Sequence, residues 1–445
     1  MSESPILSSN TRSYTGEYAF DNDAFNRKEL ADKLTTYLER LRDGAVIAID
    51  APWGEGKSWF GRNWAMKLES DEYKVIYIDA FEQDYVEDPF MLITSEILDT
   101  IKDENKLKEE LKKGAIAVGK ALLPVAGKAI VNVVGKVLLA SPDLTGEVQE
   151  AITGGTASIV EMSNEFIKEN LESYGQDKLA MSEFKTKLTE YAKVQEKPII
   201  IFVDELDRCK PTFAVNLVER IKHLFDVPNV VFVLLLNRDQ LEKAVRGTYG
   251  SETDASQYLS KFVNFFFMLP KVYKSGHTSE DRIEQFIKTT MGKYNFKPDE
   301  YNEYFIRNLK SWIPYFRLSL RDIEKTIAMY AFAYPLHDHT WFMVYFIILK
   351  VKKPTLFNQL VTGSIVAHNE AKEFIDSMII EAKKRDDKIM NRTFTLYEEW
   401  HNAYLTGFSD VGKTFNEFDI KSMWAIDKKD WFTKLAKQID IDIER

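Results

Sequence analysis

Cysteine is nearly absent from this 445-residue sequence, with Cys209 the single instance. An internal disulfide is therefore excluded, and the usage fits a reducing compartment in which Cys209 is a small packed side chain rather than a nucleophile. An excess of basic residues is missing too. Lys+Arg number 59 against Asp+Glu 69, a net charge of −10, which argues against a generally basic nucleic-acid binder, and no clear nucleic-acid-binding motif is present. Two apolar stretches fall short of a membrane span. Residues 113–140 carry Lys120, Lys128 and Lys136, each costing roughly 2.5–3.5 kcal/mol at a bilayer centre, and the run at 341–349 is too short. The opening residues lack the charged-then-apolar pattern of a secretory signal, so a cytoplasmic location is expected, with peripheral association at the inner membrane face as the alternative. What remains is ordinary: 45% hydrophobic and 29% charged residues in a chain long enough for two or three domains.

The most informative stretch runs from Gly44 to Met66. Val46, Ile47 and Ile49 form a β-branched run that breaks at Asp50-Ala51, and residues from Trp59 onward continue at helical spacing. Between them lie Pro52, Trp53, Gly54, Glu55, Gly56, Lys57, Ser58 and Trp59, the set expected to surround a phosphate chain. Glycines 54 and 56 let backbone N–H groups turn inward, and the helix beginning near Lys57 adds its positive dipole end. Lys57 is expected to reach the β and γ phosphates and Ser58 to hold Mg²⁺. Ala51 stands where the first glycine of such a loop is usual, and it is small enough to keep the turn.

A second signature lies at Ile199-Ile200-Ile201-Phe202-Val203-Asp204-Glu205, an apolar run ending in acid. A strand buried on both faces needs continuous apolar residues, and its C-terminal end is where ligands sit in open α/β sheets. Asp204 is expected to hold Mg²⁺ and Glu205 to orient or activate the attacking water. Arg208, just past this strand, reads either as half of a local ion pair or as an arginine at the edge of a neighbouring subunit's site. A third buried-strand run, Val230 to Leu236, ends at Asn237, whose side chain could contact the γ phosphate or the water.

Together DAPWGEGKS (50–58), IIIFVDELDRC (199–209), VVFVLLLNRDQL (230–241) and YLSKFVNFFFMLP (258–270) resemble the KAP family of P-loop NTPases, over about residues 20–350. The resemblance implies an α/β fold of the additional-strand type, an AAA+/STAND-like parallel sheet with the catalytic strand between the P-loop and sensor strands. It also implies a helical insertion between the two phosphate motifs, often membrane-spanning in the family, where the three lysines argue against spanning. Asn237 stands where the family more often has Asp. Ser319 to Lys325 is similar to the family's Arg-Asp-Leu-Lys-type segment, which makes Arg321 a sensor arginine. The implied activity is Mg²⁺-dependent ATP hydrolysis driving a conformational or oligomeric switch in a homo-oligomer. Bacterial members are linked with phage exclusion, so the resemblance extends to anti-phage defence or signalling. The alternative is a nucleotide-binding scaffold with negligible hydrolysis that acts through protein or membrane contacts.

The domain boundaries expected from this pattern are a tail at 1–26, the first part of the core at 27–102, the insertion at 103–176, the second part of the core at 177–274, and a C-terminal helical lid or effector domain at 275–445. Pro124 should break the 113–140 segment, which is expected to dock on a protein partner or an anionic membrane surface. His337 and His339 read as a turn between helices, with metal ligation as the rarer option. No motif stands out from Asp376 onward, where charges alternate with Tyr397, Trp400 and Tyr404.

Overall fold

Unbroken apolar runs become the middle of a parallel sheet. The computed structural model describes residues 18–100 and 182–406 except 42, 86–88, 225, 272–278, 298 and 334–339, together with 113, 436 and 439. Among these residues five strands pair in the order β2-β3-β4-β1-β5, all parallel: β1 (Ala45–Asp50), β2 (Val75–Asp79), β3 (Ile199–Asp204), β4 (Val230–Leu236) and β5 (Phe265–Met268). Every residue of β3 and β4 is buried, because helices cover both faces of the sheet. In the sheet β4, expected as the sensor strand, lies between β1, which leads into the Gly-rich loop, and β3, expected as the catalytic strand. This corrects the expected order, in which β3 stood between the other two. Chain order and sheet order differ because crossover connections free parallel neighbours from sequence adjacency.

Alternation along each strand sorts the core into two layers. Val46, Ile201, Val203, Phe232 and Leu234 face α3 (Pro89–Thr100), α4 (182–193), α5 (Pro211–Ile221), α6 (Arg238–Tyr249) and α7 (Ala255–Leu259). Ile47, Ile49, Phe202, Val233 and Leu235 face α1 (Arg27–Leu38) and α2 (Lys57–Ser70). Residues 18–26, expected as the end of a tail, belong to this second layer instead. Phe20 is buried against Trp59 and Phe60, and its N–H donates to Asn63 Oδ1 at 2.7 Å.

The chain divides into two compact units. One contains the described residues of Gly16–Pro52 and Lys57–Tyr273; the other contains those of Lys274–Arg445 with Trp53–Gly56. The regular elements described in the second unit are all helices: α8 (Ser279–Gly292), α9 (Glu300–Phe316), α10 (Leu320–Ala333), α11 (Thr340–Lys352), α12 (Pro354–Val361), α13 (Ile365–Lys384) and α14 (Lys388–Thr406). Capping marks several of its helix starts. Asp299 accepts from Asn302 N at 2.7 Å, and Ser364 accepts from Ala367 N. The apolar run read at 341–349 is the buried axis of this unit, with Phe342 to Leu349 all inside. Trp312, Phe342, Tyr345, Phe394 and Tyr397 pack edge-on or tilted around it, with ring centroids 4.4–5.5 Å apart in the close pairs. No described helix is long and apolar enough to cross a membrane. The insertion at 103–176, apart from Lys113, and the histidine pair at 337 and 339 lie outside the described residues.

Candidate functional site

Strand register collects the acids at one edge of the sheet. Asp79 is level with Asp204, Asp204 with Leu235, and Leu236 with Asp50, so the C-terminal ends of β2, β3, β4 and β1 lie side by side. From the end of β1 the chain turns through a loop whose Gly54 (φ 82°) and Gly56 (φ 78°) both occupy the left-handed region. Lys57 then opens α2, its side chain buried, with Nζ donating to Ala51 O at 2.7 Å and to Pro52 O at 3.4 Å. Burial pulls the Lys57 pKa down, while the charges of Asp207, Glu205, Asp204 and Asp50 oppose that fall.

The two acids at the end of β3 have different surroundings. Asp204 is fully buried. Its Oδ2 accepts from Tyr77 Oη at 2.7 Å and its Oδ1 from Glu205 N at 2.8 Å. Burial raises its pKa, and the Tyr77 and Ser58 hydroxyls and the Glu205 N–H hold that rise back. Glu205 sits at φ 59°, uncommon for a residue with a side chain and a conformation that clusters at functional sites. Its Oε1 accepts from Ser58 Oγ at 3.1 Å and its Oε2 pairs with Arg208 Nε at 2.6 Å. Burial and then the charge of Asp204 lift the Glu205 pKa, against the pull of Arg208. An oxygen-only donor set of Ser58 and Asp204 fits a hard cation such as Mg²⁺, which takes one or two protein ligands and completes its shell with phosphates and water. Among the described residues no group of three or more His, Cys, Asp or Glu could hold a metal without such help.

The remaining residues expected at the site are placed as follows. Arg208 has an intramolecular partner in Glu205, its Nε 2.6 Å from Oε2. Asn237 follows β4 directly beside Ala51, whose N–H donates to Leu236 O; its side chain makes no cap bond to α6, and Asp50 Oδ1 accepts from Arg238 N at 2.9 Å instead. Trp59 lies edge-on to Phe20, with centroids 5.8 Å apart. Within the helical unit, Arg321 has an exposed side chain, and its backbone N–H donates to Gly54 O at 3.1 Å. A Cβ at Gly54 would lie 2.6 Å from Ser319 Oγ, so this position needs glycine for space as well as for φ. Pro52 and Trp53 are exposed, while Gly54, Glu55 and Gly56 are half-buried. Cys209 is buried, its thiol pushed up to about 12 by burial and then by nearby carboxylates, which makes it a poor nucleophile.

Two functional candidates escaped sequence reasoning. Tyr77 stands in the middle of β2 with only its phenol in an otherwise aliphatic strand as a signal. His368 of α13 and His401 of α14 are fully buried, with Nδ1 atoms 2.9 Å apart and His401 Nε2 2.9 Å from Tyr345 Oη. Each stands on the buried face of an amphipathic helix, the only hint the sequence offers.

Comparison with known proteins places this geometry. The Aeropyrum pernix ORC2 protein, solved in ADPNP–ADP complexes, aligns over 97% of this chain and 98% of its own at 12% identity, with a TM-score of 0.33. None of the curated proteins matches. The model described as the KAP family P-loop domain matches residues 27–331, from the start of α1 to the last turn of α10. That match covers more than half of the chain, and the chain belongs to the KAP family of P-loop NTPases.

Proposed function

We propose that the chain binds ATP with Mg²⁺ at residues 52–59 and hydrolyses it, the cycle driving a conformational or oligomeric switch. The observation that carries this reading is Glu205. Its carboxylate is tied to Ser58 on one side and Arg208 on the other, one residue beyond the buried Asp204. In this reading Lys57 binds the β and γ phosphates, and the carboxylates around it oppose the loss of charge that burial favours. Ser58 and Asp204 hold the cation, which supplies charge neutralisation on the phosphate oxygens when bound. Glu205, its pKa lifted by burial, accepts the proton of the attacking water. Arg208 then acts through Glu205 within its own subunit by holding the carboxylate's orientation. Asn237, beside the start of the loop, contacts the γ phosphate or the water, and Arg321 serves as sensor.

Lys57→Ala and Glu205→Gln separate the steps. Lys57→Ala removes a ground-state phosphate contact and should abolish nucleotide binding, whereas Glu205→Gln should bind normally and stop turnover. Equal loss of binding in both would refute the role given to Glu205. A scaffold that binds nucleotide without turning it over is the second reading. Absence of phosphate release from the unsubstituted protein in a single-turnover assay would decide for it. Self-association, docking through 113–140 and a role in phage defence or signalling complete the proposal.

A further inference from the structure

Strand β2 reads Val-Ile-Tyr-Ile-Asp, and at its centre a phenol replaces the aliphatic side chain that packing alone would call for. The Tyr77 ring stacks on Phe202 of β3, with centroids 5.6 Å apart and planes 21° from parallel. Its hydroxyl thereby reaches Asp204 Oδ2 at 2.7 Å. On the other side lies Arg62, one helical turn beyond Ser58 on α2, its Cζ 5.5 Å from the Tyr77 ring centroid. The Arg62 guanidinium pairs with Asp79 at 3.7 Å, at the end of the same strand. Gly61 leaves the room this arrangement needs: a Cβ there would lie 2.1 Å from Leu235 Cδ1 and 3.3 Å from Tyr77 Oη.

We propose that Tyr77 is a positioning residue for the divalent cation: its hydroxyl fixes the rotamer of the Asp204 carboxylate so that the carboxylate and Ser58 meet one ion. The inference rests on the reading that Asp204 and Ser58 hold Mg²⁺. A neutral donor is chemically apt in this place. A lysine or arginine on Asp204 would fix it equally well but would cancel the negative charge the cation needs, whereas a phenol orients the carboxylate and leaves that charge intact. The cation of this network, Arg62, pairs with Asp79 and acts on Asp204 through its charge rather than as the donor that orients it.

Tyr77→Phe keeps the ring on Phe202 and removes only the hydroxyl. The test is a titration of Mg²⁺ into full-length protein with a fluorescent ATP analogue, run alongside Asp204→Asn and a Mg²⁺-free measurement of analogue affinity. In Tyr77→Phe the half-saturating Mg²⁺ concentration should rise about tenfold, the lower end of what loss of a partner to a metal ligand costs. The Mg²⁺-free affinity should stay at the unsubstituted value, while the melting temperature should fall slightly, because the buried Asp204 Oδ2 loses a donor. A Tyr77→Phe titration that overlays the unsubstituted protein while that of Asp204→Asn is displaced overturns the inference. So does a loss of affinity that is equal with and without Mg²⁺, which marks a purely structural role. Overlay of all three titrations removes Asp204 from the cation site and takes the inference with it.

Discussion

Acid should loosen the helical unit through one buried pair. His368 and His401 face each other in the contact between α13 and α14, both fully buried, with His368 stacked on Tyr404 at 3.8 Å and His401 held by Tyr345. Burial drives the His368 pKa down to about 4, and burial followed by the neighbouring His368 drives His401 well below its usual value. Both shifts are downward, so the unfolded chain takes up these protons first as pH falls. Their contribution to stability is complete above the unfolded value near 6.5 and is lost as pH falls from there, for His368 down to about 4. For His368 alone, a shift from about 6.5 to about 4 corresponds to a loss of roughly 2 kcal/mol by pH 5, at 1.36 kcal/mol per pKa unit. Urea unfolding followed by near-ultraviolet circular dichroism, which reports the aromatic cluster, should be run at pH 7.5 and pH 5 on the unsubstituted protein and on His368→Phe. The variant should start lower, by roughly 1–3 kcal/mol, because His401 Nδ1 loses its partner. It should then fall less between the two pH values, by about 2 kcal/mol. The raised carboxylates of Asp204 and Glu205 contribute the opposite slope to both proteins alike and cancel in the comparison. Parallel pH dependences in the two proteins would refute the reasoning.

Other perturbations follow from the same contacts. Arg208→Ala should slow phosphate release by up to the roughly 10²–10⁴-fold that a positioned base contributes, and mixing it with Lys57→Ala protein should restore nothing, because Arg208 serves its own Glu205; recovery of activity in the mixture would show an arginine acting across subunits. Gly54→Ala should abolish binding of the fluorescent analogue, since φ 82° and a 2.6 Å approach to Ser319 Oγ leave no room for a methyl group, and calorimetry would check it. Gly61→Ala should cost about 1–3 kcal/mol in urea unfolding through its clash with Leu235, with smaller Leu235→Ala partly relieving it. Deletion of 113–140 should leave analogue binding intact and change self-association or vesicle retention in sedimentation.

Buried parallel strands are the easiest elements to read. Val230–Leu236 and Ile199–Asp204 must be apolar on both faces, so their sequences announce both the strands and the acid that ends the second. The loop at 52–58 is legible because phosphate chemistry dictates its glycines, lysine and serine. Sheet order is not written locally, and β4 takes the place beside β1 through contacts nearly two hundred residues apart, as in Ala45 with Val231. The same distance hides side-chain partners. Nothing at Tyr77 names Asp204, nothing at His368 names His401, and the pairing of Arg208 with Glu205 depends on a backbone turn whose φ of 59° no composition rule assigns to glutamate.

The position of β1 also sets the order in which the protein can be finished on the ribosome. Both its neighbours are made late: Asp50 pairs with Leu236 on one side and Met268 on the other. At the roughly 5–20 residues per second of synthesis, the 186 positions that separate Asp50 from Leu236 take on the order of ten to forty seconds, and until they emerge β1 has neither ladder. For most of that interval β2 is equally alone, because its partner β3 follows the long insertion. The nascent chain thus carries two apolar strands without mates and a phosphate loop with no sheet to frame it. A holding chaperone, or slow translation after residue 270 rather than before it, would raise the yield of active protein, and truncations ending before β5 should emerge insoluble.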